Sequence, residues 1–449
     1  MKALLWMFCW MAAVASAVEL TAGPMAGAAF QRGTRLWLQA DGPGTAQIEF
    51  WNTAKPADKR RSATVVLRAE EDFVAQFSIG GLEPGQTYGY RALLNGKAAK
   101  VAQSLTFRTQ ALWQWRTDPP DWKLAFGSCA YDNEAAYDRP GPVPYGGPPG
   151  TDRIFESMAR QKPDMTLWGG DFTYLREADW DSDWGLGYRW RYAKARPTLQ
   201  NLLRTGNHYA IWDDHEYGPN DSNGSYGLKG ESLAHFKRHF PNPSFGLPET
   251  PGTFTNFMYN EVEFFLTDGR YYRDHDQLQS ADKSMLGAAQ VRWLKNALLA
   301  SSARLKVVVA GSQVTNPSPW WIDGWDKYEK ENADFLKFLA DHRVDGVLFL
   351  TGDRHFTALY KNDRPGTYPL YELTCSPLTS GVGGGLDRER AKPNLVPGTL
   401  VGARNFCTLE FSGKRDARKV VIRSLDADGK ELWRQDLNAA DLRGPKRDD

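Results

Sequence analysis

Apolar and polar positions alternate in short runs from residue 18 to about residue 118, the pattern of half-buried strands rather than helices. Arg35-Leu-Trp-Leu-Gln-Ala40 and Ala46-Gln-Ile-Glu-Phe50 are two such runs. In Leu82-Glu-Pro-Gly-Gln-Thr-Tyr-Gly-Tyr90, a Pro-Gly turn precedes Tyr88, as at the tyrosine corner of fibronectin-like sandwiches. Ser104-Leu-Thr-Phe-Arg-Thr109 supplies a closing strand, and an Ig/fibronectin-like all-β domain is expected over 18–118.

A Trp- and Pro-rich connector, Trp113 to Pro120, precedes a change of rhythm. From Lys123 onward short apolar runs alternate with helical patterns, which is α/β organisation. Strands are expected at 123–126, 165–168, 208–212, 264–266, 306–310 and 346–350, and helices at 154–160, 287–299 and 334–342. The glycine-rich stretch 380–385 reads as a loop. Strands at 408–411 and 419–424 are expected to close an α/β domain spanning 121–437, followed by a charged tail, 438–449.

The first residues do not belong to this pattern. Lys2 is followed by an apolar run from Ala3 to Val14 and by Ala15-Ser16-Ala17, a small-x-small cleavage site, so residues 1–17 read as a secretory signal peptide. The apolar run is too short to span a bilayer, and no later stretch approaches the ~20 apolar residues of a membrane helix. A secreted or periplasmic protein without a transmembrane anchor is expected. Removing Lys2 from the 55 basic residues leaves 54 against 54 acidic ones, and no basic block stands out. Nucleic-acid binding by bulk electrostatics is therefore excluded. Beyond Cys9, three cysteines remain: Cys129, Cys375 and Cys407. An odd count in an exported chain leaves one thiol free. Pairing of Cys375 with Cys407 would leave Cys129, but the sequence does not decide it.

The chemistry gathers where apolar strands end, the place at which ligand sites form in open α/β sheets. Gly-Ser-Cys129 follows Leu124-Ala-Phe126, and Gly-Gly-Asp-Phe-Thr-Tyr174 follows Thr166-Leu-Trp168. Asp-Asp-His-Glu216 follows Ala210-Ile-Trp212, with Asn220 shortly after, and Thr-Gly-Asp-Arg-His355 follows Phe349-Leu350. Any one of these is a turn or a solvated helix start on its own; all four in one α/β unit point to a shared site. Asp171 is the natural bridging carboxylate, having two oxygens to offer two cations. Cys129 as thiolate and Tyr174 as phenolate suit a highly charged ion such as Fe³⁺. Asn220 and the carboxylates are oxygen donors of the kind Ca²⁺ takes. Arg354, Arg189 and Arg191 are candidate phosphate clamps, since a guanidinium fits two phosphate oxygens at once. The last two serve equally well as surface arginines of a polar helix. Gly206-Asn-His208 precedes a strand and lies at the wrong end of the sheet, while His235, His239, His275 and His342 show no ligand-like context.

Taken together, Gly127-Ser-Cys129, Gly170-Asp-Phe-Thr-Tyr174, Trp212-Asp-Asp-His-Glu216 with Asn220, Asp268-Gly-Arg-Tyr-Tyr-Arg273 and Gly352-Asp-Arg-His355 resemble the PhoD-like alkaline phosphatases, a branch of the calcineurin-like metallophosphoesterases. The Leu286–Leu294 helix pattern and the order of β-domain then phosphatase belong to the same resemblance. It implies a calcineurin-like β-sandwich core flanked by helices, with one Fe³⁺ and Ca²⁺ ions nearby. It implies Cys129, Asp171, Tyr174, Asp214, Asn220, Asp353 and His355 as metal ligands. Asp214 and His215 overlay the Asn-His pair of the wider superfamily, putting His215 beside the leaving group as proton donor, with Arg354 as a catalytic partner. Arg270, in the family's Asp-x-Arg element, is read as structural. The implied activity is hydrolysis of small-molecule or lipid phosphate esters by a metal-activated hydroxide. Two rivals from other classes are a secreted binding protein with a decayed phosphatase domain, against which every expected ligand type is present, and a calcium-stabilised carbohydrate-binding module, which does not explain ligand types at four strand ends.

Overall fold

The computed structural model describes residues 18–139, 144–319 and 322–445; the expected signal peptide, 1–17, lies outside them, as does 446–449. Two mixed sheets face each other across one large core. In the nine-stranded sheet, Trp122–Gly127, Met165–Gly169 and Asn207–Ile211 run parallel at the centre. On one side follow Asn405–Ser412, Lys419–Asp426 and Glu431–Asn438, and on the other Leu20–Ala29, Gly33–Ala40 and Val74–Gly80. In the six-stranded sheet, Val262–Leu266, Leu305–Ala310, Val347–Thr351 and Leu370–Cys375 are parallel, with antiparallel edges Thr255–Tyr259 and Thr357–Asn362. Leu124, Leu167, Ile211, Phe264, Val308 and Leu350 are completely buried between them. Strands buried on both faces read as the continuous Val/Leu/Ile/Phe runs that identified them. Helices Ile154–Arg160, Ala288–Ala300 and Glu329–Asp341 stand at or beside their expected positions.

The N-terminal region is built of strands apart from one short turn, Ala69–Glu71. Its own core, including Leu36, Ile48, Phe77, Tyr90 and Phe107, lies between strands of the large sheet and a third sheet containing Gly44–Asn52 and Thr87–Leu94. Tyr88 closes the expected corner: its hydroxyl accepts the Glu83 N–H at 2.9 Å. This region is not a detached module, because Leu20–Ala29 pairs in parallel with Asn207–Ile211 and carries the large sheet across to it.

Several elements correct the sequence reading, the unexpected strands Thr255–Tyr259, Thr357–Asn362 and Leu370–Cys375 among them. The fold does not close at 424: Glu431–Asn438 adds an edge strand, and Ala439 and Leu442 are buried after it, so the segment from 438 is not all charged tail. Its polar residues face water, as edge strands require, which disguised it. Helix Asp183–Lys194 enters the sequence reading only as the polar-helix alternative for Arg189 and Arg191, and helix Lys229–His239 was not expected. The first holds Gly185 and Gly187 inside its length, which lowers helix propensity. Both glycines are needed, because a Cβ at 185 would lie 2.3 Å from the Asp179 carbonyl oxygen and one at 187 would lie 2.7 Å from Asp72 Oδ1. Cys375 and Cys407 are bonded to each other, joining neighbouring sheets, and Cys129 is the free thiol.

Candidate metal centre

Residues that follow parallel strands of both sheets meet at one place. Close approach there depends on glycine: a Cβ on Gly352 would sit 2.3 Å from Ser128 Oγ and 2.6 Å from the Gly169 carbonyl oxygen. The chain then turns sharply, and Cys129, Asp171, Asp353 and His355 all adopt positive φ, at 61°, 56°, 65° and 54°. A non-glycine residue in this region costs energy and persists only where the surroundings enforce it, a habit of functional sites. The same turns aim these four side chains inward.

Tyr174 donates its hydroxyl to Asp171 Oδ2 at 3.2 Å, and Cys129 Sγ lies 3.5 Å from the same oxygen. Donor atoms of Cys129, Asp171 and His355 fall within 4.8 Å of one another, and so do those of Asp171, Asp214 and His215. Asp171 thus belongs to two adjoining clusters, as a bridging carboxylate must. Asp353 and Asn220 line the same cavity of about 240 Å³, together with Tyr174, Asp214, His215 and His355. Every residue expected as a ligand is therefore gathered at this one site.

Electrostatics say what the site requires. Asp171 Oδ1, Asp214 Oδ1 and His215 Nδ1 are buried without a hydrogen-bond partner. Burial, then the neighbouring carboxylates, pushes Asp171 and Asp353 well above the ordinary carboxylate range. Burial and the same acids push the Cys129 thiol and the Tyr174 phenol well up. Burial holds His215 and His355 down to about 4, so both imidazoles are neutral at pH 7 and able to bind a cation. Orphaned oxygens, mutually repelling acids and neutral imidazoles in one pocket fit bound cations. The donor set, one thiol and one phenol on one side and oxygens on the other, fits two unlike ions.

A model of the PhoD-like phosphatase family matches residues 128–413. The chain belongs to the PhoD-like phosphatase family. Alkaline phosphatase D of Bacillus subtilis (strain 168) is 24% identical over 358 residues, covering 68% of this chain and 58% of that protein, under two thirds of its length. The solved structure of PhoD matches 94% of this chain and 92% of its own, with a TM-score of 0.74 at 17% identity. That of purple acid phosphatase PPD1 from yellow lupin (Lupinus luteus) seeds matches 93% of this chain and 75% of its own, at 0.64 and 10% identity. These two likenesses are of fold.

Other candidates fare differently in this PhoD-like chain. Arg189 is buried between Asp179 and Glu134, and Arg191 pairs with Asp72, so neither is a clamp at the cavity. Arg354 lines the cavity, but its guanidinium donates to Gln313, Ser318 and Glu389. His208 is buried and accepts from Trp168, away from the centre. His235 and His239, which showed no context in the sequence, gather with Asp72, where Arg191 and Arg238 also pair with that carboxylate. Two arginines on one carboxylate make this a latch between the N-terminal strands and the helices rather than a home for a cation.

In the sequence Glu216 reads as an acid at a helix start. Its carboxylate accepts the backbone N–H of Asp171 at 2.9 Å, of Asp213 at 3.0 Å and of Phe172. It therefore fixes the turns that present Asp171 and Asp214. Glu216→Gln would set an amide NH₂ against backbone donors. The expected result is a stability loss of about 1–3 kcal/mol in urea unfolding. Calorimetric titration should show cation affinity down by about 10- to 100-fold.

Proposed function

We propose that this protein is a metal-dependent phosphoric ester hydrolase of the alkaline phosphatase/phosphodiesterase type. The observation that carries the reading is Asp171, a buried carboxylate shared by two donor clusters on the floor of a cavity. Cys129, Tyr174, Asp171 and His355 are the ligand set for Fe³⁺, and Asp171, Asp214, Asn220 and Asp353 the oxygen set for Ca²⁺. Bound there, such ions supply the positive charge that neutralises phosphoryl oxygens and lowers the pKa of an attacking water. His215, stacked on Tyr174 with ring centroids 4.0 Å apart, faces the cavity and is held in place to give a proton to the departing oxygen. Glu216 and Arg270 hold the acids in position from behind.

The Cys375–Cys407 disulfide supports an exported setting, since such bonds persist in oxidising compartments. Among the described residues no helix is long and apolar enough to cross a membrane. Small-molecule or lipid phosphate esters are the proposed substrates. The test is phosphate release from a generic monoester and a diester before and after chelation. Activity should fall below a tenth after chelation and return when Fe³⁺ and Ca²⁺ are restored together. Full activity in metal-free protein would remove the reading.

A further inference from the structure

Two arginines line the cavity over the metal ligands, and they are not equivalent. Arg354 is buried and spends its guanidinium on Gln313 and Glu389. Arg270 and Arg273, just behind, are both engaged with Asp323. Arg139 differs: it is exposed at the cavity mouth, and among the described residues its guanidinium has no carboxylate partner. It lies over the Tyr145 ring, 5.1 Å from the centroid.

The position of Arg139 is built rather than incidental. Asp138 Oδ1 accepts the Arg139 N–H at 2.8 Å and the Tyr131 hydroxyl, and its Oδ2 accepts the Tyr145 N–H at 3.2 Å. One carboxylate thus ties the backbone at Arg139 to that at Tyr145. The Tyr145 hydroxyl lies 3.1 Å from His355 Nδ1, so the ring that supports Arg139 rests on the metal centre itself.

We propose that Arg139 is the specificity-determining residue that receives the charged, non-bridging oxygens of the substrate phosphate and so favours dianionic monoesters over diesters. This rests on the phosphoesterase reading. A guanidinium offers paired donors matched to two phosphate oxygens. A monoester presents one more anionic oxygen than a diester, so the uncommitted arginine discriminates between them, whereas the cations below grip both.

The test compares Arg139→Met and Arg139→Lys with the full-length, metal-loaded wild type, using inorganic phosphate by calorimetry and a matched monoester and diester by kinetics. Losing charge-assisted bonds should weaken phosphate binding by about tenfold or more in Arg139→Met. The monoester KM should rise by a similar factor with kcat little changed, and the diester should move far less. Arg139→Lys should recover part of the loss. Unchanged phosphate affinity, or equal loss on both esters, overturns the assignment. If wild type hydrolyses neither ester, the functional reading fails instead, and the phosphate titration still decides whether Arg139 binds the anion.

Discussion

Asp171→Asn is expected to remove at least about a thousandfold of kcat/KM on any phosphate ester and to lower the bound metal content. The substitution keeps the size of the side chain and halves its capacity to bridge, and cation stabilisation of a phosphoryl transition state is worth several kcal/mol. Activity alone would not separate a metal ligand from a residue that merely shapes the pocket. Stability without metal does. In chelator, burial first and then the neighbouring Asp214, Asp213, Glu216 and Asp353 raise the Asp171 pKa. Asp353 is raised as well, Asp213 to about 6 and Glu216 to about 8, in each case first by burial. Asp214 runs the other way despite burial, held down by His215 and Arg270. A carboxyl whose folded pKa lies above its unfolded value binds more protons folded than unfolded, so stability falls as pH rises through that interval. Metal-free wild type should therefore weaken progressively above the ordinary carboxylate range, from about pH 4 upward. Asp171→Asn should show a shallower decline and, at pH 7, be at least as stable as chelated wild type. Urea unfolding across pH in chelator reads this directly. A variant that retains wild-type turnover and metal content would show that Asp171 is not a ligand.

Part of this centre was legible because one physical rule, ligands after parallel strands, coincides with a strong sequence signal. Phe126, Trp168, Trp212 and Leu350 end or directly follow continuous apolar runs, and polar residues beside such runs are conspicuous. What was not legible depends on tertiary partners. Arg189 and Arg191 sit on a helix whose two glycines obscure it, and only the fold shows that Asp179, Glu134 and Asp72 claim their charges. Glu216 looks like any acid in a first helical turn until the backbone N–H groups of another strand end arrive beside it. Arg139 and Tyr145 lie in a segment without periodicity, and nothing in its composition places Tyr145 against His355 or Arg139 over the Tyr145 ring. The disulfide was undecided for the same reason, because three thiols permit more than one pairing and only the adjacency of two sheets selects Cys375 with Cys407.

Arg270→Met is expected to be the most destabilising single change near the centre. The guanidinium is fully buried, with Nε 2.6 Å from Asp213 Oδ1 and Nη2 2.7 Å from Asp323 Oδ2 and 3.7 Å from Asp214 Oδ1. It joins the Asp213 turn to the loop bearing Asp323, which no direct strand pairing connects. Methionine fills much of the same space but leaves these carboxylates uncompensated, a loss of about 3–5 kcal/mol for a broken buried ion pair. Arg270→Lys should fall between, because one ammonium keeps the charge yet lacks the fork that reaches Asp213 and Asp323 together. A packing defect would cost the same with or without metal. A missing counter-charge would not, since the cations proposed at Asp171, Asp214 and Asp353 would take over part of the neutralisation that Arg270 provides. Arg270→Met should therefore lose more stability in chelator than when loaded with Fe³⁺ and Ca²⁺. Equal losses in both conditions would mean that Arg270 serves by shape rather than by charge.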